Sequence, residues 1–133
     1  TDSELAVEIA AEKGYRNIVL IGAAGSRLDH TLANIMLLKK MFDRGIKGII
    51  ANENNEVTLI KSSIVISGKE GYKVSLIPLS MQVTGVTTQG LYYPLKDAVI
   101  NMGSTWGISN EFVSDKAKVT LKSGLLLVTV SRD

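Results

Sequence analysis

A chain of 133 residues that is 45% hydrophobic and 21% charged, with a net charge of +2, has the composition of a folded globular protein and not of a disordered one. Its basic residues are interspersed with acidic ones and no apolar run approaches the ~20 residues of a membrane-spanning helix, which excludes a basic nucleic-acid interface and a membrane span. The absence of cysteine excludes disulfides and thiolate metal sites, and we expect a cytoplasmic protein.

The first fifty residues alternate between helix and strand patterns. Thr1 to Glu4 form a Ser/Thr-x-x-Glu capping box, which predicts a helix that ends at Gly14. The run "NIVLIG" predicts a strand buried on both faces, as in a parallel sheet. A second helix, beginning near Asp29, and a second buried strand, "IKGIIAN", complete part of a doubly wound sheet. The predicted core stripe of the second helix consists of Leu32, Ile35 and Met36.

From about Asn52 the hydrophobic period changes to two, which is typical of strands. Turns separate the strand-like runs at intervals of roughly 8–12 residues, a spacing that predicts an antiparallel sandwich or barrel. Only "NMGSTWGISNEF" predicts a loop, and the final run "LLLVTV" is predicted to be core. The predicted fold is therefore an α/β partial parallel sheet over residues 1–53, followed by an all-β antiparallel sandwich over residues 54–133.

The corner "GAAGSRLDHTLANI" joins the first strand to the second helix. Backbone N–H groups at such a corner attract phosphate, and Arg27 adds a cation whose fork geometry suits phosphate oxygens. The glycines fit neither the P-loop nor the dinucleotide fingerprint. The residues alone leave two interpretations open: a phosphate site, or a plain turn in which Asp29 caps the helix while Arg27 and His30 are solvated.

Three segments together resemble the thiamine pyrophosphokinase family. "GSRLDHTLANI" resembles the family's Gly-x-Arg-Leu/Phe-Asp-His/Gln motif, and Thr1-Asp2 is similar to the end of its Lys-Asp-x-Thr-Asp segment. "TTQGLYYPLKDAVINMGSTWGISNEF" resembles its Thr-x-Gly-Leu-x-Tyr/Trp-x-Leu strand and Gly-Ser/Thr-x-x-x-Ser-Asn loop. These matches occur in the family's order and cover the chain end to end.

The resemblance implies an α/β catalytic domain, a C-terminal thiamine-binding sandwich and a homodimer with thiamine bound between subunits. The implied reaction transfers a diphosphoryl group from ATP to thiamine, giving thiamine diphosphate and AMP. The family's Asp-x-Asp pair has no counterpart here, so the resemblance also implies a C-terminal part of the enzyme that is inactive alone. Two alternatives stay open: a non-catalytic thiamine-binding or dimerisation module, and an unrelated α/β phosphate-binding enzyme.

The resemblance also implies roles for residues near the corner. Asp29 would orient or deprotonate the thiamine hydroxyl, and Arg27 would hold phosphate oxygens. Thr1 and His30 would contact ATP, although His30 could equally be a partly exposed polar residue near the helix start. Asp2 would be the one family carboxylate available to Mg²⁺, a cation that prefers oxygen ligands.

On the thiamine side, the resemblance points to an aromatic face and hydrogen-bonding groups from the β-rich half. Tyr93 occupies the family's Tyr/Trp position, and Ser109 with Asn110 occupies its Ser-Asn pair. Gln89 and Trp106 are weaker candidates without a family counterpart. Because a lone Trp in a small sandwich commonly belongs to a core or an interface, that role remains open for Trp106.

Overall fold

A computed structural model describes all 133 residues, which form two helices and ten strands. Two compact units are present, Thr1–Leu59 and Ile60–Asp133. None of the helices has the length and apolar character needed to cross a membrane. The elements are α1 (Asp2–Glu12), β1 (Asn17–Ile21), α2 (Leu28–Asp43), β2 (Lys47–Ala51), β3 (Asn55–Ile60), β4 (Ser63–Ser67), β5 (Lys73–Pro78), β6 (Gln82–Gln89), β7 (Ala98–Asn101), β8 (Asn110–Glu111), β9 (Lys116–Thr120) and β10 (Leu126–Ser131).

Helix α1 begins as its capping box predicts. The Thr1 hydroxyl accepts a hydrogen bond from the Glu4 N–H at 3.2 Å, which satisfies one of the free donors of the first turn. Helix α2 begins at Leu28, which agrees with the predicted start near Asp29, and its N-cap Arg27 makes no side-chain capping bond. Asp29 lies inside the first turn, so the part of the plain-turn interpretation in which Asp29 caps the helix is wrong.

The first unit contains the predicted parallel strand pair. Strands β1 and β2 pair in parallel from Asn17 opposite Lys47 to Ile21 opposite Ala51, and β3 returns antiparallel to β2. The prediction that the first strand is covered on both faces is wrong. β1 is the edge strand of its sheet, and its Ile21 side chain is 84% exposed.

Helix α2 faces the sheet with a different stripe from the predicted one. The buried residues are Asn34, Leu37, Leu38 and Met41, whereas Leu32 and Met36 are about half exposed, so the predicted core positions of these two residues are wrong. The buried set recurs at 3–4 residue spacing but is rotated from the predicted set by part of a turn, which hydrophobicity alone does not distinguish. The buried stripe meets β2 at Gly48, where an added Cβ would lie 2.5 Å from the Met41 Cε.

The second unit is the predicted antiparallel sandwich. One sheet contains β10, β5 and β8 in that order, and the other contains β4, β9, β6 and β7. Both sheets contribute to one buried core, and the final run is buried as predicted, with Leu126 wholly inaccessible. Within the predicted loop, the two-residue strand β8 pairs with the start of β5 and so anchors the Ser109-Asn110 segment. The predicted fold class, a partial α/β sheet followed by an antiparallel sandwich, is confirmed.

Candidate functional site

A pocket in the first unit gathers all four residues predicted to meet ATP or Mg²⁺, whereas the predicted catalytic residue Asp29 is not part of its lining. It has a volume of about 440 Å³ and lies where β1 ends and both helices begin. Its walls include four of the predicted residues, namely Thr1, Asp2, Arg27 and His30. A pocket of this size is within the range of small-molecule sites.

The starts of two helices open into this pocket. The lining includes Thr1, Asp2 and Ser3 from the start of α1, and Arg27 and His30 from the start of α2. The first turn of a helix has backbone N–H groups without intrahelical partners and carries partial positive charge. Two such ends beside a guanidinium favour an anionic ligand such as a polyphosphate.

Arg27 and Asp29 are joined by a two-point ion pair. The Arg27 Nη2 lies 2.7 Å from the Asp29 Oδ2, and the Nε lies 3.3 Å from Oδ1. Arg27 is the main cause that lowers the pKa of the Asp29 carboxyl, and the His30 backbone N–H contributes further. The pairing therefore favours the ionised form of Asp29, and both side chains remain largely exposed to solvent, at 68% for Arg27 and 65% for Asp29.

Three side chains that the sequence analysis did not single out hold the loop between β1 and α2. The Thr31 Oγ1 accepts from the Gly25 N–H at 3.1 Å and lies 3.1 Å from the Arg27 carbonyl oxygen. Asn34 and Asn52 donate from their amides to two neighbouring loop carbonyls, those of Ala23 at 3.0 Å and Ala24 at 3.4 Å. No sequence signal identified Asn34, because the burial of its neighbours Leu37 and Leu38 on α2 is known only from the structure.

In the second unit, Asn110 fastens the backbone around Tyr93. The Asn110 Oδ1 accepts from the Tyr93 N–H at 2.9 Å, and its Nδ2 donates to the Tyr93 carbonyl at 2.7 Å. The same Oδ1 also accepts from the Glu111 N–H at 2.9 Å. The Asn110 amide is thus largely occupied by main-chain groups, which suits it to positioning Tyr93 more than to contacting a ligand.

The Tyr93 ring stands at the surface with a second tyrosine beside it. It is 63% exposed and packs edge-to-face against Tyr92, with ring centroids 4.8 Å apart. Tyr92 was not among the predicted site residues, although two adjacent tyrosines were a visible signal. An exposed aromatic face of this kind is suited to stacking on a flat ring.

Ser109 has a backbone φ of 62°, in the left-handed region that residues other than glycine rarely adopt. Its N–H donates to the buried Ser75 hydroxyl at 3.0 Å, which stabilises this conformation. Trp106, 60% exposed, does not belong to the core of this chain. Gln89 ends β6 opposite Lys118, and neither it nor Trp106 is hydrogen-bonded to the pair formed by Tyr93 and Asn110.

Both halves of the chain match models of one protein family. Residues 1–50 match the thiamin pyrophosphokinase catalytic domain, and residues 54–126 match the thiamin pyrophosphokinase vitamin B1 binding domain. The chain belongs to the thiamin pyrophosphokinase family. The resemblance that the sequence motifs indicated is therefore confirmed.

Named thiamin pyrophosphokinases align with the whole of this chain. The thiamine pyrophosphokinase of Bacillus subtilis (strain 168) is 33% identical to it, and a crystal structure of the Bacillus subtilis protein matches with a TM-score of 0.94. The crystal structure of the Geobacillus thermodenitrificans thiamin pyrophosphokinase is 37% identical and matches with a TM-score of 0.87. Each match covers 100% of this chain, which spans 63% and 62% of the length of these two relatives.

Proposed function

We propose that this family member transfers a diphosphoryl group from ATP to the hydroxyethyl oxygen of thiamine, giving thiamine diphosphate and AMP. The observation that carries the proposal is the pocket where two helix starts and Arg27 surround a space suited to a polyphosphate. The names of the matched domains and of the Bacillus subtilis relative support the same reaction. Because the chain spans less than two thirds of that relative, the activity is proposed for the full gene product.

In the proposed reaction the thiamine hydroxyl oxygen attacks the β-phosphorus of ATP. A bond forms between these atoms, the bond from the β-phosphorus to the α,β-bridging oxygen breaks, AMP departs with that oxygen, and the hydroxyl proton is released. Such a transfer depends mainly on in-line positioning and on balancing negative charge. Arg27 would hold phosphate oxygens, and Thr1 and His30 would contact ATP from the same pocket.

Asp29 would accept a hydrogen bond from the thiamine hydroxyl and aim its oxygen at the phosphorus. Its pKa is lowered chiefly by Arg27, so it is better suited to orienting the hydroxyl than to removing a proton fully. The ion pair between these two residues also links the hydroxyl-orienting group to the phosphate-binding group. Their geometry therefore supports a joint role in which each fixes the direction of the other.

A magnesium ion would have one carboxylate in this pocket. Asp2 lines the pocket at the start of α1. This fits Mg²⁺, which is commonly bound to nucleotides through one or two carboxylates with phosphate and water as the other ligands. When bound with ATP, Mg²⁺ supplies positive charge that balances the polyphosphate. Asp2 is the residue proposed to hold it.

The thiamine side of the reaction is proposed for the second unit. Tyr93 would present its exposed ring to one of the flat rings of thiamine, and Ser109 would offer its hydroxyl to the pyrimidine edge. Asn110 would act mainly through Tyr93, whose backbone it holds on both sides. Gln89 and Trp106 remain secondary candidates for the same ligand.

The assembly and organisation of the protein are also proposed from the family. We propose a cytoplasmic homodimer, with an ATP-binding part over residues 1–53 and a thiamine-binding sandwich over residues 54–133. The exposed aromatic groups Trp106, Tyr92 and Tyr93 support a protein or ligand contact on the sandwich, since exposed apolar groups commonly mark such surfaces.

Product analysis tests the proposed reaction. The full gene product is incubated with ATP, thiamine and magnesium, and the nucleotides and thiamine esters are separated and quantified by chromatography. We expect AMP and thiamine diphosphate to accumulate in equal amounts, with neither formed when thiamine is omitted. Formation of ADP and thiamine monophosphate would contradict diphosphoryl transfer, and thiamine binding without turnover would favour a non-catalytic module.

A further inference from the structure

Asn34 is a polar residue at a core position of α2. It is only 9% exposed and shares the buried face of the helix with Leu37, Leu38 and Met41. Burying an amide costs free energy unless it is hydrogen-bonded, so an apolar residue would serve packing alone at least as well. Asn34 instead lines the pocket and donates to the Ala23 carbonyl, which directs its hydrogen bond to the pocket wall.

That hydrogen bond fixes the orientation of a loop peptide. The C=O and N–H of a trans peptide point in opposite directions, so holding the Ala23 carbonyl towards α2 turns the Ala24 N–H to the other side. Without the bond, the peptide plane could rotate and the direction of this donor would no longer be defined. Asn34 thus fixes the orientation of the Ala23–Ala24 peptide in the loop that forms one wall of the pocket.

Thr31 acts on the other end of the same loop. Its hydroxyl accepts from the Gly25 N–H and lies within hydrogen-bond distance of the carbonyls of Gly25 and Arg27, at 3.3 Å and 3.1 Å. The main chain at Arg27, from which the guanidinium side chain extends, is therefore held by Thr31 of α2. Two side chains one turn apart on α2 hold the loop at both ends.

We infer that Asn34 and Thr31 are positioning residues for the phosphates of the nucleotide: they preset the loop 23–27 so that Arg27 meets the polyphosphate without reorganising. This inference rests on the proposed function of the pocket. A preset loop binds its ligand more tightly because the ordering entropy is already lost before binding. Loss of either side chain should therefore weaken the affinity for ATP and leave the affinity for thiamine unchanged.

The test compares isosteric variants in the full gene product. Thr31→Val and Asn34→Leu remove the hydrogen bonds to the loop, and Thr58→Val is the matched control. Thr58 is buried in the first unit, as Asn34 is, and its hydroxyl donates to the Gly48 carbonyl at 3.2 Å, but it does not line the pocket. Measurements are the melting temperature, kcat, KM for each substrate, and the Kd for ATP by calorimetry.

We expect Thr31→Val and Asn34→Leu to raise KM and Kd for ATP about tenfold, with KM for thiamine within about twofold of wild type. Thr58→Val should lower the melting temperature comparably and leave both ATP constants unchanged. Combining Asn34→Leu with Arg27→Met should raise the Kd by less than the product of the single effects, because both changes disable one contact.

Two results would overturn the inference in different ways. If Thr31→Val and Asn34→Leu destabilise the protein but bind ATP like Thr58→Val, the side chains are structural and the proposed function stands. If wild-type protein neither binds ATP nor forms AMP, the proposed function fails and this inference fails with it. Because Thr31→Val exchanges a hydroxyl for a methyl group of similar size, it keeps the test decisive should Asn34→Leu not fold.

Discussion

Replacement of Asp29 by Asn is expected to lower kcat of the full gene product about a hundredfold, the size of effect expected when a group that orients the attacking oxygen is lost. The amide retains the size of the carboxylate but loses its charge, so the two-point pair with Arg27 weakens and the thiamine hydroxyl loses its anionic acceptor. Steady-state kinetics at saturating ATP and thiamine measure the change. The melting temperature should stay close to that of wild type, because both side chains are exposed.

Asp43→Asn supplies the control for this experiment. Asp43 lies at the opposite end of the same helix and forms a comparable exposed ion pair with Lys39 at 2.5 Å, away from the pocket. Its replacement should leave kcat within about twofold of wild type, since exposed ion pairs contribute little free energy. An Asp29→Asn enzyme that also retained at least a third of wild-type kcat would remove Asp29 from the reaction.

Replacement of Gly90 by Ala is expected to lower the free energy of unfolding of the second unit by about 3–5 kcal/mol, combining left-handed backbone strain with a steric clash. Gly90 has a φ of 80°, and an added Cβ would lie well inside van der Waals contact of the Lys116 carbonyl oxygen. The Gly90 carbonyl also accepts from the Val113 N–H at 3.0 Å, so a shift here would move the strand that leads to Tyr93. Urea denaturation followed by circular dichroism measures the loss.

The matched control is Gly71→Ala. Gly71 has the same φ of 80°, but nothing lies within 4 Å of the position that its Cβ would take. Only the backbone strain of about 1–2 kcal/mol should appear there. Equal losses at the two glycines would show that the close approach of Lys116 does not account for the glycine in the Thr-x-Gly-Leu segment.

The sequence predicted the elements well and their exposure less well. Hydrophobic periodicity located both helices and the strands of the sandwich, because each of these patterns depends on neighbours along the chain. It misjudged Leu32 and Met36, since which stripe of an amphipathic helix meets the sheet depends on tertiary contacts such as the one at Gly48. It also misjudged Ile21, because a continuous apolar run does not reveal that its strand lies at a sheet edge.

In the candidate site, too, the sequence predicted what depends on local patterns and missed what depends on tertiary contacts. The motif at the corner identified Arg27, and the structure places it in one pocket with Asp2. The roles of Asn34 and Asn110 could not be predicted, because each depends on a main-chain partner 11 or 17 residues away whose position only the fold defines. Residue type thus indicated which side chains can bind phosphate or metal. Long-range hydrogen bonds, which only the fold defines, determined which polar side chains are occupied by main-chain groups.

We propose that the pocket at the corner of the first unit binds ATP and that the tyrosine surface of the second unit binds the rings of thiamine. Measuring both KM values in two variants of the full gene product, Arg27→Met and Tyr93→Ala, tests it most directly. We expect a crossed pattern in which Arg27→Met raises KM for ATP about tenfold and Tyr93→Ala raises KM for thiamine about tenfold, each leaving the other constant within about twofold. If Arg27→Met changed only the thiamine constant, or Tyr93→Ala only the ATP constant, the assignment of the two sites would be contradicted.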